Sequence, residues 1–456
     1  MVIFIQDEIE FFEIIIDKET AKGYYSNNNC IRLYLYTIMS KKEGTIMKKF
    51  HKLVSTAVVS AMVLAMAGCG TQEQDAGVSE SSASNESASA AEGTEAASEG
   101  ASAGTFKIGG MGPLTGDNAV YGMAVNNAAQ MAVDEINAAG GVNGYTFELN
   151  FQDDESDAEK AVNAYNVLKD WGAQIIVGAV TSGPSIAVTE KTMEDNMFQL
   201  TPSGSAVECT QYDNCFRVCF SDPNQGAASA QYIGENALAE KVAVIYDSSS
   251  VYSTGIYESF AQEAENQSFE IVAAEAFTAD NKTDFSVQLQ KAKDAGADLV
   301  FLPIYYQESS LILTQADSMG YAPAFFSCDG MDGILSVTNF DQSLAEGVML
   351  LTPFAADAED ELTQNFVSTY EEKFGGIPNQ FAADAYDAVY AIKAAIEQSG
   401  VTPDMSVSDI CEGLKSAMTQ ITIDGLTGSG MSWTADGEPN KEPKAVKIVN
   451  GTYTAM

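Results

Sequence analysis

The chain of 456 residues contains a single histidine, His51, which lies in a segment that is interpreted below as a cleaved peptide. Without an imidazole, the mature protein cannot form a Ser-His-Asp triad, a Cys-His pair or a histidine-ligated metal site. Much of the usual enzyme repertoire is therefore excluded. The sequence predicts a protein that is not an enzyme and that needs no metal or cofactor.

Basic residues are also scarce. The chain has 23 Lys and Arg against 64 Asp and Glu, which gives a formal net charge of −41. Binding to nucleic acid or to an anionic lipid surface requires a basic face, so this balance excludes both as partners. Hydrophobic residues still make up 46% of the chain, as is typical of a globular protein.

Residues 47–68 have the features of an export signal. Lys48, Lys49 and Lys52 precede an apolar run at 53–67, which is too short to span a bilayer. The run ends in Met-Ala-Gly-Cys, which resembles the lipobox of bacterial lipoproteins. This resemblance implies that Cys69 is lipidated, becomes the mature N-terminus and attaches the protein to the cell membrane through lipid alone.

The segments on either side of this signal are not predicted to belong to the fold. Residues 1–46 mix Ile and Phe with acids and show no helix caps or clear period, so we interpret them as a non-native extension from a mis-assigned start codon. Residues 69–104 are dominated by Ser, Ala, Gly and Glu. Such a composition predicts a disordered linker, with a root-mean-square reach of about 30–35 Å.

From residue 105 onward, short β-rich runs alternate with longer helical patterns. Strands are predicted at 106–111, 146–151, 175–177, 242–246, 270–277, 299–302, 324–327 and 348–351. Helices are predicted at 119–139, 158–171, 185–196, 224–238, 254–266, 285–295 and 309–319. This alternation indicates parallel sheets covered by helices on both faces. The segment is too long for one such sheet, so the sequence predicts two doubly wound α/β lobes.

Ligands of doubly wound sheets bind outside the carboxyl ends of the strands, which directs attention to the loops that follow them. These loops lie at 112–116, 181–185, 201–205, 247–252, 303–308 and 328–330. They are rich in hydroxyls, glycines, tyrosines and single carboxylates, without a nucleophile–base pair. The glycines at 110, 112 and 116 depart from the spacing of a dinucleotide-binding fingerprint. A small polar ligand is therefore favoured over catalysis or a nucleotide cofactor.

Several segments resemble the branched-chain amino-acid-binding proteins of ABC transporters. The resemblance begins at 106–122 and continues through the helix end at 132–144, which reads Ala-Val-Asp-Glu-Ile-Asn-Ala-Ala-Gly-Gly-Val-Asn-Gly. Further matching segments lie at 153–154, 181–185, 216–218, 221–226, 385–389 and 425–428. The resemblance covers residues 105–456. It implies a type I periplasmic-binding-protein-like fold with a multi-strand hinge, in which 105–222 and 353–430 form lobe 1, and 223–352 and 431–456 form lobe 2.

The resemblance also implies which residues bind the two charged groups of an amino acid. Ser182 and Ser205 would donate to the carboxylate, and Ser203 would offer main-chain groups; helix capping by turn serines is the alternative. Asp222 and Asp329 would accept from the ammonium. For Asp222 a helix N-cap role is the alternative, and Asp329 is one methylene shorter than the glutamate of well-known leucine binders.

Three tyrosines are implied to surround the ligand: Tyr121, Tyr252 and Tyr305. The alternative for each is a structural role in the core. Tyr305 and Tyr306 are adjacent and cannot both face the cleft if the backbone there is extended, so Tyr305 is favoured.

Five cysteines follow Cys69. Cys209 and Cys215 lie in one loop and could form a local disulfide outside the cell. Cys219, Cys328 and Cys411 are expected to be free and buried.

The predicted function is that of an extracytoplasmic solute-binding lipoprotein. It would act as a monomer, capture an amino acid between two closing lobes, and deliver it to the permease and ATPase of an ABC importer. The alternative is a ligand sensor or co-receptor of the same fold that recognises an amide, urea or an aromatic acid.

Overall fold

The computed structural model describes residues 104–456 and, for their backbone alone, two strands near the N-terminus. These strands, β1 (Ile3–Asp7) and β2 (Glu10–Ile14), pair in antiparallel fashion. The predicted signal peptide at 47–68, the lipidated Cys69 and almost all of the linker at 69–104 lie outside the described residues. So does most of the predicted extension at 1–46.

The first sheet of the folded region has five strands in the order β4-β3-β5-β6-β7, and all of its strand pairs are parallel. Its strands are β3 (Thr105–Gly112), β4 (Thr146–Asp153), β5 (Ile175–Val177), β6 (Phe198–Thr201) and β7 (Cys215–Arg217). The helices between them are α1 (Ala119–Ala138), α2 (Ala158–Trp171) and α3 (Ser182–Asp195). Strands β5, β6 and β7 are buried at every position, as expected of parallel strands covered on both faces. We call this sheet and its helices lobe 1.

The second sheet has seven strands in the order β14-β13-β12-β11-β10-β8-β9. Its strands are β8 (Lys241–Asp247), β9 (Glu270–Phe277), β10 (Leu299–Leu302), β11 (Ala324–Ser327), β12 (Met349–Thr352), β13 (Lys444–Val449) and β14 (Thr452–Ala455). Strands β8 to β12 pair in parallel, whereas β13 and β14 are antiparallel additions at one edge. Its helices are α4 (Asp222–Glu235), α5 (Val251–Ala264), α6 (Ser286–Asp294) and α7 (Tyr306–Ser318). We call this sheet and its helices lobe 2.

Three later helices return to lobe 1: α8 (Glu361–Phe374), α9 (Gln380–Ser399) and α10 (Val407–Met418). Helix α9 packs along α1, and α10 packs against α9 and β6. The hydroxyl of Tyr386 on α9 donates to the carboxylate of Glu135 on α1. Because 14 of the 20 residues of α9 are buried, this helix is a central part of the core of lobe 1.

The predicted strands and helices are all present, with shifts of one to three residues at most ends. Helices α3, α5 and α7 each begin three residues earlier than predicted, at Ser182, Val251 and Tyr306. Proline at 184 is compatible with a helix that begins at Ser182, because the N–H groups of the first helical turn have no partner within the helix. Strands β6, β7, β13 and β14 and helices α8 to α10 are not among the elements that the sequence predicts.

Candidate ligand-binding site

A small cavity lies where loops of lobe 1 and lobe 2 meet. It is lined by Tyr121, Val180, Thr181, Ser182, Ser203, Ser205, Tyr252, Tyr305, Asp329, Gly330 and Phe381. Seven of the eight predicted binding residues are among these, and the eighth, Asp222, is buried close to Ser205. The carboxyl ends of the parallel strands therefore bring the predicted residues of both lobes together, as expected for this sheet architecture.

The lobe 1 side of the cavity is rich in hydroxyls, which come from the start of α3 and from the loop after β6. Ser182 accepts a hydrogen bond from the N–H of Ala206 at 3.2 Å, and Ser203 donates to the carbonyl of Val180 at 2.7 Å. The hydroxyls of Thr181 and Ser205 are buried and have no hydrogen-bond partner among residues 104–456. Neither Ser182 nor Ser203 caps a helix here. Free hydroxyls at a helix N-terminus form a suitable environment for a carboxylate.

Asp222 supplies a buried carboxylate beside these hydroxyls. It is the first residue of α4 and is 1% exposed, and neither carboxylate oxygen has a hydrogen-bond partner in the described part of the chain. The alternative role as a helix N-cap is therefore not observed. Burial raises the pKa of Asp222 well above its ordinary value, and the nearby charge of Asp329 raises it further. An unpaired buried carboxylate is costly, and an ammonium group would compensate it.

Asp329 contributes a second carboxylate, from lobe 2. Its Oδ1 accepts from the hydroxyl of Tyr252 at 2.7 Å, and its backbone N–H donates to the side-chain oxygen of Gln225 at 3.1 Å. Burial raises the pKa of Asp329 to about 6, although the hydrogen bond from Tyr252 favours the charged form. The amide nitrogen of Gln225 has no partner within residues 104–456, so it is also available to a ligand or a water molecule.

Aromatic rings form the remaining wall. The rings of Tyr252 and Tyr305 stack with centroids 4.8 Å apart, and Tyr121 meets Tyr305 edge-on at 5.7 Å. Phe381 lies against Tyr121 with a centroid distance of 4.1 Å. The hydroxyl of Tyr121 donates to the carbonyl of Gly330 and so links the two lobes. These rings leave an apolar surface opposite the polar groups.

Several lining residues were not predicted. Thr181 lies inside one of the loops singled out from the sequence, and its hydroxyl was a detectable signal. Phe381 lies in the first turn of α9, far from any strand end, and reaches the cavity because α9 packs on α1. Tyr306 does not line the cavity; it begins α7, and its hydroxyl donates to the carbonyl of Asp117 at 2.6 Å.

The disulfide considered between Cys209 and Cys215 is not formed in the structure, where both are free and buried. The two thiols face different neighbours. The sulfur of Cys209 lies 3.8 Å from the carbonyl oxygen of Ser182, whereas that of Cys215 lies 3.9 Å from the side-chain oxygen of Gln199. Burial raises the pKa of both thiols to about 12, which keeps them protonated and unreactive. The three other cysteines of the folded region, at 219, 328 and 411, are also free and buried, as expected.

Buried carboxyls should make the ligand-free protein more stable at pH 5 than at pH 7.5. Burial raises the pKa of Asp154 to about 7 and those of Asp329 and Asp332 to about 6, from an ordinary value of 3.8. Between these values the native state binds more protons than the unfolded chain, so the free energy of unfolding falls as pH rises. The pKa of Asp360 is lowered by its hydrogen bond from the N–H of Thr363, so this residue changes the free energy of unfolding only at a more acidic pH.

Thermal unfolding midpoints measured at both pH values would check this expectation. An Asp154→Asn variant should show a smaller difference between them, because one of the titrating carboxyls is gone. A higher midpoint at pH 7.5 than at pH 5 for the unmodified protein would contradict the expectation.

Two further properties bear on function. In the part of the chain that the structure describes, none of the helices combines the length and apolar character needed to cross a bilayer. Within the same residues, His, Cys, Asp and Glu side chains form no group of three or more that could hold a metal ion. Two α/β lobes around a polar and aromatic cavity define the class of bilobed solute-binding proteins.

Comparison with known proteins identifies the family. A model of the periplasmic binding proteins matches residues 105–452, and the chain belongs to this family. The Leu/Ile/Val-binding protein homolog 3 of Brucella melitensis is 32% identical over 306 residues, which cover 65% of this chain and 80% of the relative. The leucine-, isoleucine-, valine-, threonine- and alanine-binding protein of Pseudomonas aeruginosa is 30% identical over 310 residues, which cover 68% of this chain and 82% of the relative.

Comparison with solved structures agrees with this fold and family. The branched-chain amino-acid transporter substrate-binding protein of Streptococcus pneumoniae, in complex with isoleucine, is similar with a TM-score of 0.70 and 30% identity, covering 77% of this chain and 98% of its own. A solute-binding protein of R. palustris in complex with benzoate has a TM-score of 0.69 at 18% identity, which shows the fold alone. The predicted two-lobed fold and the prediction of a Leu/Ile/Val-type binding protein rather than an enzyme are confirmed. Membership of the family implies an extracytoplasmic location.

Proposed function

We propose that the protein is the solute-binding component of an ABC importer, which captures an α-amino acid and delivers it to a membrane permease and its ATPase. The arrangement of unpaired polar groups around one cavity carries this proposal. The hydroxyls of Thr181 and Ser205 are free to donate to a carboxylate, and the oxygens of Asp222 are free to accept from an ammonium. A zwitterion would satisfy both sets at once.

The cavity also offers an apolar surface for an aliphatic side chain. Tyr121, Tyr252, Tyr305 and Phe381 offer apolar ring faces with few free polar groups. A branched-chain amino acid has the matching chemistry, in line with the names of the relatives from Brucella melitensis and Pseudomonas aeruginosa.

Closure of the two lobes around the amino acid would provide the mechanism of its capture. A bound amino acid would contact Ser205 in lobe 1 and Asp329 in lobe 2, so only the closed state would gain the full binding energy. We assign 105–222 and 353–430 to lobe 1, as predicted, and the packing of α9 and α10 supports this assignment. We extend lobe 1 to Gly437 and assign the rest of the folded region to lobe 2. The hydrogen bonds of Trp433 and Gly437 with the backbone of Arg217, at the end of β7, support this later crossing.

We also propose that Cys69 is lipidated and becomes the mature N-terminus when residues 47–68 are removed, and that the segment from 69 to 104 tethers a monomeric binding domain to the membrane. The lipobox-like sequence and the extracytoplasmic location of the family support this proposal. Replacing Cys69 by Ala should abolish the incorporation of labelled fatty acid into the protein. Equal labelling of the variant and the unmodified protein would contradict lipid anchoring at this residue.

A thermal-shift panel of amino acids, amides and aromatic acids at millimolar concentration would test the ligand class on the purified protein. A ligand present at 100 times its Kd stabilises the native state by about 2.7 kcal/mol, which raises the unfolding midpoint measurably. Leucine, isoleucine or valine should raise it. A rise with amides, urea or aromatic acids alone would contradict the amino-acid site and favour the sensor alternative.

A further inference from the structure

A second set of contacts joins the lobes outside the cavity. Lys282 lies in lobe 2, between β9 and α6, and its Nζ is 2.8 Å from Oδ2 of Asp117 in lobe 1. The same Nζ is 2.9 Å from Oε1 of Glu308, in the first turn of α7 in lobe 2. None of these three residues lines the cavity. A single ammonium group therefore bridges carboxylates of both lobes without a place in the proposed ligand site.

The main chain around Asp117 is held by lobe 2 as well. The hydroxyl of Tyr306 donates to the carbonyl of Asp117 at 2.6 Å and accepts from the N–H of Val120 at 3.4 Å. Both contacts fall at the start of α1, one turn or less from Tyr121, which lines the cavity. The contact at Asp117 thus fixes the end of the helix that presents a cavity residue.

The two carboxylates differ in their exposure to water. The side chain of Glu308 is 11% exposed, whereas that of Asp117 is 63% exposed. Glu308 therefore depends on Lys282 and holds it in place within lobe 2. Asp117 can exchange its ion pair for water when the lobes separate. As a result, the Lys282–Glu308 pair can persist in an open state, whereas the Lys282–Asp117 pair requires closure.

We propose that Lys282 is a latch residue: held in place by Glu308, it binds Asp117 only when the lobes close and thereby slows the release of a captured ligand that it does not touch. This inference rests on the proposed function for its consequence, because the latch acts on ligand release. The interlobe contact itself does not depend on which ligand is bound.

The first test needs no ligand. Hydrogen exchange of the backbone N–H groups of Val120 and Tyr306, which donate across the lobes, is measured in the ligand-free full chain and in a Lys282→Met variant. The variant should exchange faster at both positions, and Lys282→Arg should restore slow exchange. Lys291→Met is the matched control, because Lys291 forms an ion pair with Glu275 at 2.6 Å that lies within lobe 2 and does not join the two lobes.

The second test uses isoleucine as the probe and measures its dissociation rate constant by stopped flow. Partly exposed ion pairs have modest effects, and changes at an interface act mainly on dissociation, so Lys282→Met should release isoleucine roughly three- to five-fold faster. Association should change little. Raising the salt concentration should speed release from the unmodified protein and not from the variant, because the pair is screened. Lys291→Met should behave like the unmodified protein.

The outcomes of the two tests separate the two proposals. Unchanged hydrogen exchange in Lys282→Met, or an equal change in Lys291→Met, would overturn the latch whatever the ligand is. Faster exchange in Lys282→Met alone, with no binding of isoleucine, leucine or valine to any form, would support the latch and contradict the proposed ligand. Faster exchange with unchanged isoleucine release would show that the contact forms but does not retain the ligand, which also overturns the latch.

Discussion

An Asp222→Asn variant will lose most of its affinity for branched-chain amino acids, while its ligand-free form becomes more stable. Truncating or neutralising one partner of a buried charge pair costs about 2–5 kcal/mol, which corresponds to a roughly 30-fold or larger rise in Kd. Asparagine keeps the shape of the side chain and removes the charge. Without ligand, the same change relieves a buried carboxylate that has no partner among residues 104–456, so the unfolding midpoint at pH 7.5 should rise.

These opposite signs distinguish a binding residue from a structural one. Asp360 provides the matched control, because its carboxylate caps α8 by accepting from the N–H of Thr363 at 2.9 Å. Replacing Asp360 by Ala should lower stability by about 1 kcal/mol and leave the Kd unchanged. Calorimetric titration with isoleucine and thermal unfolding of each variant give both quantities. If Asp222→Asn kept full affinity, or lost stability together with affinity, the ammonium-binding role would be wrong.

A Lys441→Met variant is expected to lose about 3–5 kcal/mol of stability, the largest structural effect of a single substitution proposed for this protein. The side chain of Lys441 is 1% exposed, and its Nζ donates to Asp384 at 2.9 Å and to the hydroxyl of Thr427. Asp384 lies on α9 in lobe 1, whereas Lys441 is in the segment that leads into lobe 2. Removing the ammonium leaves a buried carboxylate without its countercharge at this crossing.

Urea unfolding would measure the loss. Lys393→Met is the control, because Lys393 forms an exposed pair with Glu397 on the same helix, and its loss should cost no more than about 1 kcal/mol. Combining Lys441→Met with Asp384→Asn should recover much of the lost stability, since no unpaired charge then remains. Equal stability of Lys441→Met and Lys393→Met would show that the buried pair makes no special contribution.

The sequence alone predicted residues that the structure brings to one cavity, but not how these residues are held. Ser182 and Tyr252 were expected in loops, yet both lie in the first turn of a helix, so that helix N–H groups as well as side chains face the ligand region. Helix starts of this kind are difficult to predict because first-turn positions accept serine, glycine and proline alike. The hydroxyl and carboxylate groups around the cavity could be predicted from the types of residue in the loops that follow strands.

The helices, strands and lining residues that the sequence analysis did not predict were missed for two different reasons. Helix α10 has a regular apolar spacing at Ile410, Leu414 and Met418, and α8 has one at Phe366 and Tyr370, so periodicity alone could have found them. In contrast, β7 has three residues and carries almost no local signal. Access of Phe381 to the cavity depends on how α9 packs against α1, which is a tertiary property that no local pattern encodes.

The order of the strands along the chain constrains how the protein folds. Strands β13 and β14, at Lys444–Val449 and Thr452–Ala455, complete the sheet of lobe 2 only after the helices α8 to α10 of lobe 1 have been made. A growing chain therefore cannot finish one lobe before it begins the other. Until β13 arrives, β12 is an unprotected edge with free main-chain N–H and C=O groups, which favours association with other chains. Lobe 2 therefore depends on a strand that is made last, and the non-local pairing of β12 with β13 slows folding.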